Sequence, residues 1–236
     1  MPTLSGYKNF IQLHDGDNSR VYRALRAENE QQVILKVLKA DYPTPDQLRR
    51  YRQEYKLTHQ LKLSHVVKAS GLEEWERTLV MILEDFGGIS LNQWLNRYPE
   101  GLAVRDFLTL SIKIVEGLGQ LHSQAIVHKD INPANIVFNP QTGDLKLIDL
   151  GISTQIGREN PILQAPNSLE GTLPYISPEQ TGRMNRSLDY RSDFYSLGVT
   201  FYELLVGKLP FTSQDSDGVG ALSHRQTSSL TSRDRR

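Results

Sequence analysis

Short apolar runs separated by turns fill the first third of the chain, and this pattern predicts a β-rich region. The run from Val33 to Leu38 is apolar except for Lys36, which indicates a buried strand with one lysine inside it. A surface lysine whose stem lies along the strand is the alternative interpretation of Lys36. The predicted strands of this region are 22–26, 32–38, 66–68 and 78–83.

One helix with a clear start signal interrupts these strands. Thr44 and Gln47 have the spacing of a capping box, and Pro45 stands at the first helical position. A stripe that includes Tyr51 continues at helical spacing, with Glu54 next to it. The pattern therefore predicts a helix that carries Glu54 beside its packed face.

The middle of the chain is mainly helical, whereas its last residues lack any periodicity. A long, mostly apolar helix is predicted over 107–122, and 195–206 is apolar on almost all faces, which is typical of a helix at the centre of a domain. Residues 212–236 contain six serines, three threonines and four arginines but only four hydrophobic residues. We expect this tail to be disordered.

Composition narrows the class of protein without revealing its chemistry. The 236 residues include 27 basic and 27 acidic side chains, so the zero net charge gives no bulk attraction to nucleic acid or membranes. There is no cysteine, which excludes disulfides and thiolate metal sites. No apolar run reaches the ~18 residues of a membrane span, and the N-terminus lacks a signal-peptide pattern. We expect a cytoplasmic protein without a membrane span.

Three oxygen-bearing side chains have a spacing that suits a magnesium and phosphate site. Asp130 and Asn135 are five residues apart in one polar loop, and Asp149 follows an apolar stretch nineteen positions after Asp130. Mg²⁺ prefers oxygen ligands and usually takes few of them from the protein. Each residue alone is equally typical of a turn or a helix cap, so the hypothesis depends on their combination.

The residues around these positions form a longer set of motifs that resembles the eukaryotic-type (Hanks-type) protein kinase family. The pattern H-R-D-x-x-x-x-N is matched from His128 to Asn135, with Lys129 in place of the arginine. D-F-G is matched by Asp149-Leu150-Gly151, and A-P-E by Ser177-Pro178-Glu179. The resemblance extends over about residues 7–211.

This resemblance implies an α+β, protein-kinase-like two-lobe fold. Residues 1–86 would form a small β-rich N-lobe with one helix and the hinge, and 87–211 a mainly helical C-lobe. Members of the family use ATP and Mg²⁺ to phosphorylate protein substrates. The implied function is that of a serine/threonine protein kinase, which transfers the γ-phosphate of ATP to a protein hydroxyl in bacterial signal transduction.

The resemblance also implies roles for individual residues. Asp130 would orient the acceptor hydroxyl and take its proton, and Lys36, held by Glu54, would contact the α- and β-phosphates. Asn135 would act with Asp149 to hold Mg²⁺ against the phosphates. Seven residues would bind the nucleotide: Gly16, Ser19, Val21, Ile34, Lys36, Glu84 and Phe86. Leu83 would stand at the gatekeeper position, directly before the hinge.

Residues near the catalytic loop have expected positions as well. His128 is expected to bond backbone near Asp149, and Thr172 to bond Asp130. Lys129 would bind a phosphate in the activation segment. The candidate phosphorylation sites of that segment are Ser153, Thr154 and Ser168.

The sequence departs from the family pattern in three places. Only Gly16 remains of the three glycines in the phosphate loop, because His14 and Ser19 replace the others, and this restricts how closely backbone amides approach phosphate. Ile34 replaces a small alanine above the adenine. Asn132 stands where serine/threonine kinases usually carry a lysine, so one positive charge near the γ-phosphate is lost.

The C-lobe is expected to be incomplete, because residues 212–236 cannot supply the helices that follow in the family. Glu179 would then lack its usual arginine partner, and the central helix would expose apolar surface. The segment 176–211 is similar to kinase modules at the start of long bacterial multi-sensor signalling proteins. That similarity implies downstream sensor domains of a longer parent protein as partners.

Two other functions stay open. A catalytically weak or inactive kinase-fold binding module would account for the altered phosphate loop and for Asn132. A small-molecule phosphotransferase shares the H-x-D-x-x-x-x-N logic, but such enzymes generally lack a closing motif like Ser177 to Glu179.

Overall fold

An antiparallel sheet forms the N-terminal part of the protein in the computed structural model, which describes residues 4–40, 42–155, 171–181 and 188–211. Its five strands are β1 (Tyr7–Asp15), β2 (Ser19–Arg26), β3 (Gln32–Leu38), β4 (Ala69–Trp75) and β5 (Thr78–Glu84). In the sheet they follow the order β1-β2-β3-β5-β4. One helix, α1 (Pro45–Gln60), packs against β4 and β5.

Strand β3 is buried on both faces, which explains its almost continuous apolar run. Val33, Leu35 and Val37 face one apolar cluster, which also contains Leu4. Leu38 belongs to a second cluster on the opposite face, beneath α1. The lysine of this strand is therefore enclosed between the sheet and the helix.

Helix α1 begins with the predicted capping box. The Thr44 hydroxyl accepts a hydrogen bond from the Gln47 amide (3.2 Å), and the Thr44 amide donates to the Gln47 side chain (2.8 Å). Tyr51, Glu54 and Thr58 form its buried face. The helix start thus fixes the rotation that turns Glu54 toward β3.

Loss of this cap should destabilise the N-lobe. We expect Thr44→Ala to lower the free energy of unfolding by about 1 kcal/mol, because the Gln47 amide at the helix start loses its hydrogen-bond partner. Urea denaturation measures this change. Thr109→Ala is the matched control, since Thr109 is exposed inside a helix and its hydroxyl donates only to the Arg105 carbonyl. Equal losses in the two variants would show that the cap contributes nothing specific.

Helices and short strands form the C-terminal part. The helices are α2 (Leu91–Leu95), α3 (Val104–Ser123) and α4 (Tyr190–Val206). The strands are β6 (Ile89–Ser90), β7 (Ile126–Val127), β8 (Ile136–Phe138), β9 (Leu145–Leu147) and β10 (Thr154–Gln155). Strands β6, β8 and β9 form one sheet, and β7 pairs with β10. The largest core cluster joins α3 and α4, with Ile114 and Leu204 fully buried inside it.

Three sequence-based expectations about secondary structure and burial differ from the structure. The predicted strand at 66–68 is a connection, in which Val66 makes a single bridge to Leu147 before β4 begins. Strand β1 was not predicted, because its mostly exposed residues lack strict alternation. Helix α4 is only half buried rather than enclosed: Tyr195 is 37% exposed and Tyr202 44%.

The predicted α+β fold, with a β-rich N-lobe and a helical C-lobe, is confirmed for the described residues. The expected apolar surface of α4 is present too, since Phe194 and Leu205 are exposed. Within the ranges that the structure describes, no helix is both long and apolar enough to cross a membrane. The tail 212–236, predicted to be disordered, lies outside the described residues.

Candidate active site

A cavity of about 500 Å³ lies between the sheet and the helical part. Side chains from well-separated parts of the chain line it, among them Ser19, Lys36, Glu54, Asp130 and Asp149. Five of the residues proposed from the sequence thus face one space. Ser19 and Lys36 lie on the β2–β3 hairpin and Glu54 lies on α1, whereas Asp130 and Asp149 come from the helical part. The packing of the two lobes therefore brings these residues together.

Lys36 is the centre of a buried ion-pair network. Its Nζ lies 2.7 Å from Glu54 Oε1 and 2.9 Å from Asp149 Oδ1. The lysine and glutamate side chains are only 10% and 8% exposed. The alternative interpretation of Lys36 as a snorkelling surface residue is therefore wrong. An ion pair removed from water in this way contributes stability only while both partners are present.

The network shifts the acid–base behaviour of its members. Burial alone would lower the pKa of Lys36, but the carboxylates of Asp149 and Glu54 outweigh it and raise this pKa above its ordinary value. Burial raises the pKa of Glu54. Burial acts in the same direction on Asp149, but the charge and hydrogen bond of Lys36 hold the pKa of Asp149 below its usual value. The cleft therefore holds a cation beside an ionised carboxylate.

Tyr51 fastens α1 to the backbone of β3. Its hydroxyl donates to the Lys36 carbonyl and accepts from the Met81 amide (3.3 Å). The tyrosine is buried, and this burial raises its pKa. Helix α1 therefore contacts Lys36 twice, through Tyr51 at the main chain and through Glu54 at the side chain.

The carboxylate of Asp130 is oriented by three donors. Asn135 Nδ2 donates to Oδ2 (2.7 Å), Asn132 Nδ2 donates to Oδ1 (3.0 Å), and the Thr172 amide also donates to Oδ1 (2.9 Å). The expected contact between Thr172 and Asp130 is present, although the main chain makes it. Asp130 is thus held in one orientation in the lining of the cavity.

Asn132 organises this loop, a role that sequence reasoning missed. It is buried, and its Oδ1 accepts from the amides of Ala134 (2.9 Å) and Asn135 (3.3 Å). Its Nδ2 also donates to the Thr172 hydroxyl (3.1 Å). The residue that replaces the family lysine therefore links the catalytic loop to the activation segment. Asparagine side chains often accept a hydrogen bond from the amide two residues further on, and this local preference could have indicated the role of Asn132.

Removal of this amide should slow catalysis more than it weakens nucleotide binding. We expect Asn132→Ala to lower kcat by about 10- to 100-fold, because Asp130 loses one of its three orienting donors and the loop amides lose their acceptor. Steady-state kinetics at saturating ATP measures the effect. Asn29→Ala is the matched control, because exposed Asn29 also accepts from an amide two residues on, that of Gln31. A kcat in Asn132→Ala like that of the control would contradict the positioning role.

Asp193, on helix α4, binds the backbone of the catalytic loop, and sequence reasoning did not identify this role. Its fully buried carboxylate accepts from the amides of His128 (2.9 Å) and Lys129 (2.7 Å), and it contacts His122 Nε2 (2.8 Å). Lys129 has a φ of 69°, in the left-handed region that ordinary residues rarely adopt. These hydrogen bonds help hold that strained conformation next to Asp130.

His128 bonds the backbone next to Asp149, as expected. The His128 ring Nε2 lies 3.0 Å from the Ile148 carbonyl and the residue is fully buried, so its position is structural. Asp149 also has a left-handed backbone, with a φ of 62°. Its carboxylate is 42% exposed and accepts a hydrogen bond from the Gly151 amide at 3.2 Å.

Asn135 and Asp149 offer oxygen donors of the kind that Mg²⁺ prefers. The Ile148 amide donates to the Asn135 carbonyl (3.0 Å), which brings the two residues together. Asn135 uses its Nδ2 to bond Asp130, so its side-chain oxygen is oriented away from that contact. An amide oxygen and an ionised carboxylate are hard ligands of the kind that Mg²⁺ selects. The residues present therefore fit this metal.

The predicted nucleotide residues of the N-lobe lie in the β1–β2 turn and on strands β2 and β3. Gly16 and Ser19 close the β1–β2 turn through a hydrogen bond from the Gly16 amide to the Ser19 carbonyl (2.9 Å). Val21 pairs with Lys36, and Ile34 pairs with Leu83. Of these residues, Ser19 and Lys36 line the 500 Å³ cavity.

The hinge residues are held by polar contacts outside that cavity. The Glu84 carboxylate accepts from Lys146 Nζ (2.6 Å) and from the Lys68 amide (2.9 Å). The Phe86 carbonyl accepts from Asn139 Nδ2 (2.6 Å). Lys146 and Asn139 therefore attach both ends of the segment 84–86 to the C-terminal part.

The activation segment is described at its two ends. Lys129 Nζ donates to the Thr154 hydroxyl (2.7 Å), and the Ser153 hydroxyl donates to the His128 carbonyl (3.1 Å). Ser168, the third candidate phosphorylation site, lies outside the described residues. The Glu179 carboxylate accepts a hydrogen bond from the Ser192 hydroxyl (2.8 Å). That Glu179 lacks an arginine partner stays a prediction.

Fold and cleft together place the chain among the two-lobed phosphotransferases. Residues 7–234 match the protein kinase domain, and the chain belongs to this family. The matched range includes most of the tail 212–236, which was expected to be disordered. The expected incompleteness of the C-lobe therefore stays a prediction.

Curated relatives include three bacterial enzymes. Serine/threonine-protein kinase PrkC of Bacillus subtilis is 29% identical over 212 residues, which is 89% of this chain and 32% of the relative. Serine/threonine-protein kinase PknF of Mycobacterium tuberculosis is 31% identical over 214 residues, with 89% and 44% covered. Serine/threonine-protein kinase PknA of the same species is 32% identical over 227 residues, with 93% and 50% covered. The chain therefore spans a third to a half of the length of these relatives.

Proposed function

We propose that this chain is the catalytic domain of an ATP- and Mg²⁺-dependent serine/threonine protein kinase. The observation that carries the proposal is the Lys36 network, in which one buried Nζ contacts both Glu54 and Asp149. The names of the three relatives support serine and threonine as the acceptor residues.

The geometry supports separate roles for the two sides of the cleft. Lys36 would bind the α- and β-phosphates, and Glu54 keeps the lysine pointed at them. Asn135 and Asp149 would hold Mg²⁺, which neutralises charge on the phosphates when it is bound. These residues fix the nucleotide so that its γ-phosphate faces the acceptor side.

Asp130 would act on the protein substrate. Its oriented carboxylate accepts the proton of a serine or threonine hydroxyl as the oxygen bonds to the γ-phosphorus, and the bond from that phosphorus to the β-phosphate oxygen breaks. Thr172 and Asn132 keep Asp130 in position and shape the place where the hydroxyl enters. The products are a phosphoprotein and ADP.

Phosphate transfer from radiolabelled Mg-ATP to a generic protein substrate tests this proposal. We expect phosphoserine and phosphothreonine in the acid hydrolysate and no phosphotyrosine. Nucleotide binding measured by thermal shift without phosphate transfer would instead support the non-catalytic binding module. Transfer to small aminoglycoside or choline acceptors, with none to protein, would support the small-molecule phosphotransferase.

The parent protein remains a separate proposal. If downstream sensor domains accompany this domain, as the segment 176–211 indicates, they are its regulatory partners. Sequencing of the gene region downstream of the coding segment for residue 236, read in all three frames, tests for those domains and for the further C-lobe helices that the family pattern leads us to expect.

A further inference from the structure

An arginine and an aspartate form an ion pair between strand β2 and the hinge. Arg23 Nε lies 2.5 Å from Asp85 Oδ2, and Arg23 Nη2 lies 3.2 Å from Asp85 Oδ1, so the contact is bidentate. The Asp85 side chain is 2% exposed and the Arg23 side chain 26%. The Gly87 amide donates a third hydrogen bond to the same carboxylate (2.8 Å). Asp85 therefore depends on Arg23 for charge compensation.

The strand pairing puts Arg23 beside the proposed roof of the adenine site. Arg23 pairs with Ile34, and Ile34 pairs with Leu83, so the three side chains form one row on one face of the sheet. Val21 and Lys36 form the next row on the same face, since side chains two residues apart in a strand point the same way. The row of Arg23, Ile34 and Leu83 forms the proposed roof of the adenine site, and the ion pair links the end of this row to the hinge.

The hinge is fixed to the C-lobe by other contacts. Lys146 on β9 binds the Glu84 carboxylate, and Asn139 binds the Phe86 carbonyl. The Arg23–Asp85 pair adds an attachment to β2, a strand that carries Ser19 and Val21. Asp85 lies between the two hinge residues whose backbone is proposed to meet the adenine.

We propose that Arg23 and Asp85 are positioning residues that set the gap between the roof of the adenine site and the hinge. This inference rests on the proposed function, because it requires adenine to bind at the hinge. The pair fixes β2 near the proposed adenine site, which we call the adenine end of the cleft. At the phosphate end, the β1–β2 turn has only Gly16 of the three glycines in the family pattern. Nucleotide affinity in this protein therefore depends on the adenine end more than on backbone contacts to phosphate.

The test compares adenosine with Mg-ATP in Arg23→Met, Asp85→Asn and the double variant. We expect each variant to weaken both ligands by the same factor, about tenfold by calorimetry, because the defect lies at the adenine end. The double variant should lose no more than either single variant, as expected of two residues in one interaction. At saturating ATP, kcat should stay within about twofold, so the loss appears in KM.

Two further variants separate positioning from general stability. Arg23→Lys keeps the charge but loses the bidentate geometry and should fall between wild type and Arg23→Met. Arg191→Met is the matched control, because it also breaks an arginine–aspartate ion pair. Arg191 lies in the first turn of α4, contacts Asp189 at 2.5 Å and belongs to neither the hinge nor β2, so this variant should leave adenosine affinity unchanged. If Arg23→Met does not fold, Asp85→Asn, which keeps the shape of the side chain, provides the measurement.

The outcomes distinguish this inference from the proposed function. Wild-type adenosine affinity in both folded single variants would overturn the positioning role and leave the kinase assignment intact. A weaker affinity for ATP with unchanged adenosine affinity would also overturn it, since the defect would then lie at the phosphates. Wild-type protein that binds neither adenosine nor Mg-ATP would overturn the proposed function, and this inference with it.

Discussion

Replacement of Asp130 by alanine should lower kcat for phosphate transfer by about 10³-fold or more while the affinity for Mg-ATP changes little. The loss follows because Asp130 is the group proposed to orient the acceptor hydroxyl and to take its proton, and such a group typically contributes two to four orders of magnitude, about 10²–10⁴. Single-turnover kinetics measures the chemical step directly, and thermal shift with Mg-ATP measures binding in the same preparations.

Asp144→Ala is the control for this experiment. Asp144 lies in a loop of the same lobe and bonds the Thr142 hydroxyl at 2.8 Å, outside the proposed machinery. We expect its kcat to equal that of wild type. Equal phosphate transfer by wild type and Asp130→Ala would exclude Asp130 as the catalytic residue, whatever the nucleotide affinity.

Replacement of Lys36 by methionine should affect both activity and stability. Activity should fall by about 10²-fold or more, because the phosphates lose their proposed cationic contact. Stability should fall by about 3 kcal/mol at neutral pH, because Glu54 stays buried next to Asp149 without a compensating charge. Urea denaturation and steady-state kinetics give the two quantities.

The stability loss in Lys36→Met should depend on pH in a defined direction. In wild type Lys36 lowers the pKa of Asp149, so the stability from this group is present above its ordinary pKa and is lost as the pH falls through the lower folded value. Without Lys36, burial and mutual repulsion raise the pKa values of Asp149 and Glu54, so the folded variant gains stability as the pH falls. The difference between wild type and variant should therefore narrow between pH 7 and about pH 4.

Lys39→Met is the matched control for the Lys36 variant. Lys39 is the next lysine along the chain and pairs with Asp15 at 2.6 Å, with both side chains at least a third exposed. Exposed pairs contribute little, about 0–1 kcal/mol. A stability loss in Lys36→Met that matches this control, or that does not change with pH, would contradict the buried network.

Local patterns in the sequence predicted the chemical residues, because motif spacing fixes which positions belong to one loop. Asp130, Asn135 and Asp149 were proposed in this way, and the structure brings them to one cleft. The capping box at Thr44 predicted the helix that carries Glu54. Asn132 and Asp193 were missed as organisers of the loop. Their roles depend on partners such as Thr172 and the amides of the catalytic loop, 40 to 65 residues away in the chain.

Long-range polar contacts also explain what else the sequence could not show. The Arg23–Asp85 pair joins residues 62 positions apart, and neither residue has a local pattern that marks it. Strand β1 was missed for a different reason, since an edge strand with exposed side chains lacks the periodicity that burial imposes. The burial of Lys36 itself needed both the sheet and α1 to be placed.

The double attachment of α1 limits how this domain can change state. Tyr51 and Glu54 are three residues apart on the helix and fasten to the main chain and side chain of the same lysine. An outward swing of α1 must break both contacts at once and leave the Met81 amide without the tyrosine hydroxyl. Intermediate positions of the helix are therefore unfavourable, and the domain should respond to a regulator as a bistable switch, with the in and out populations exchanging rather than the helix moving by degrees.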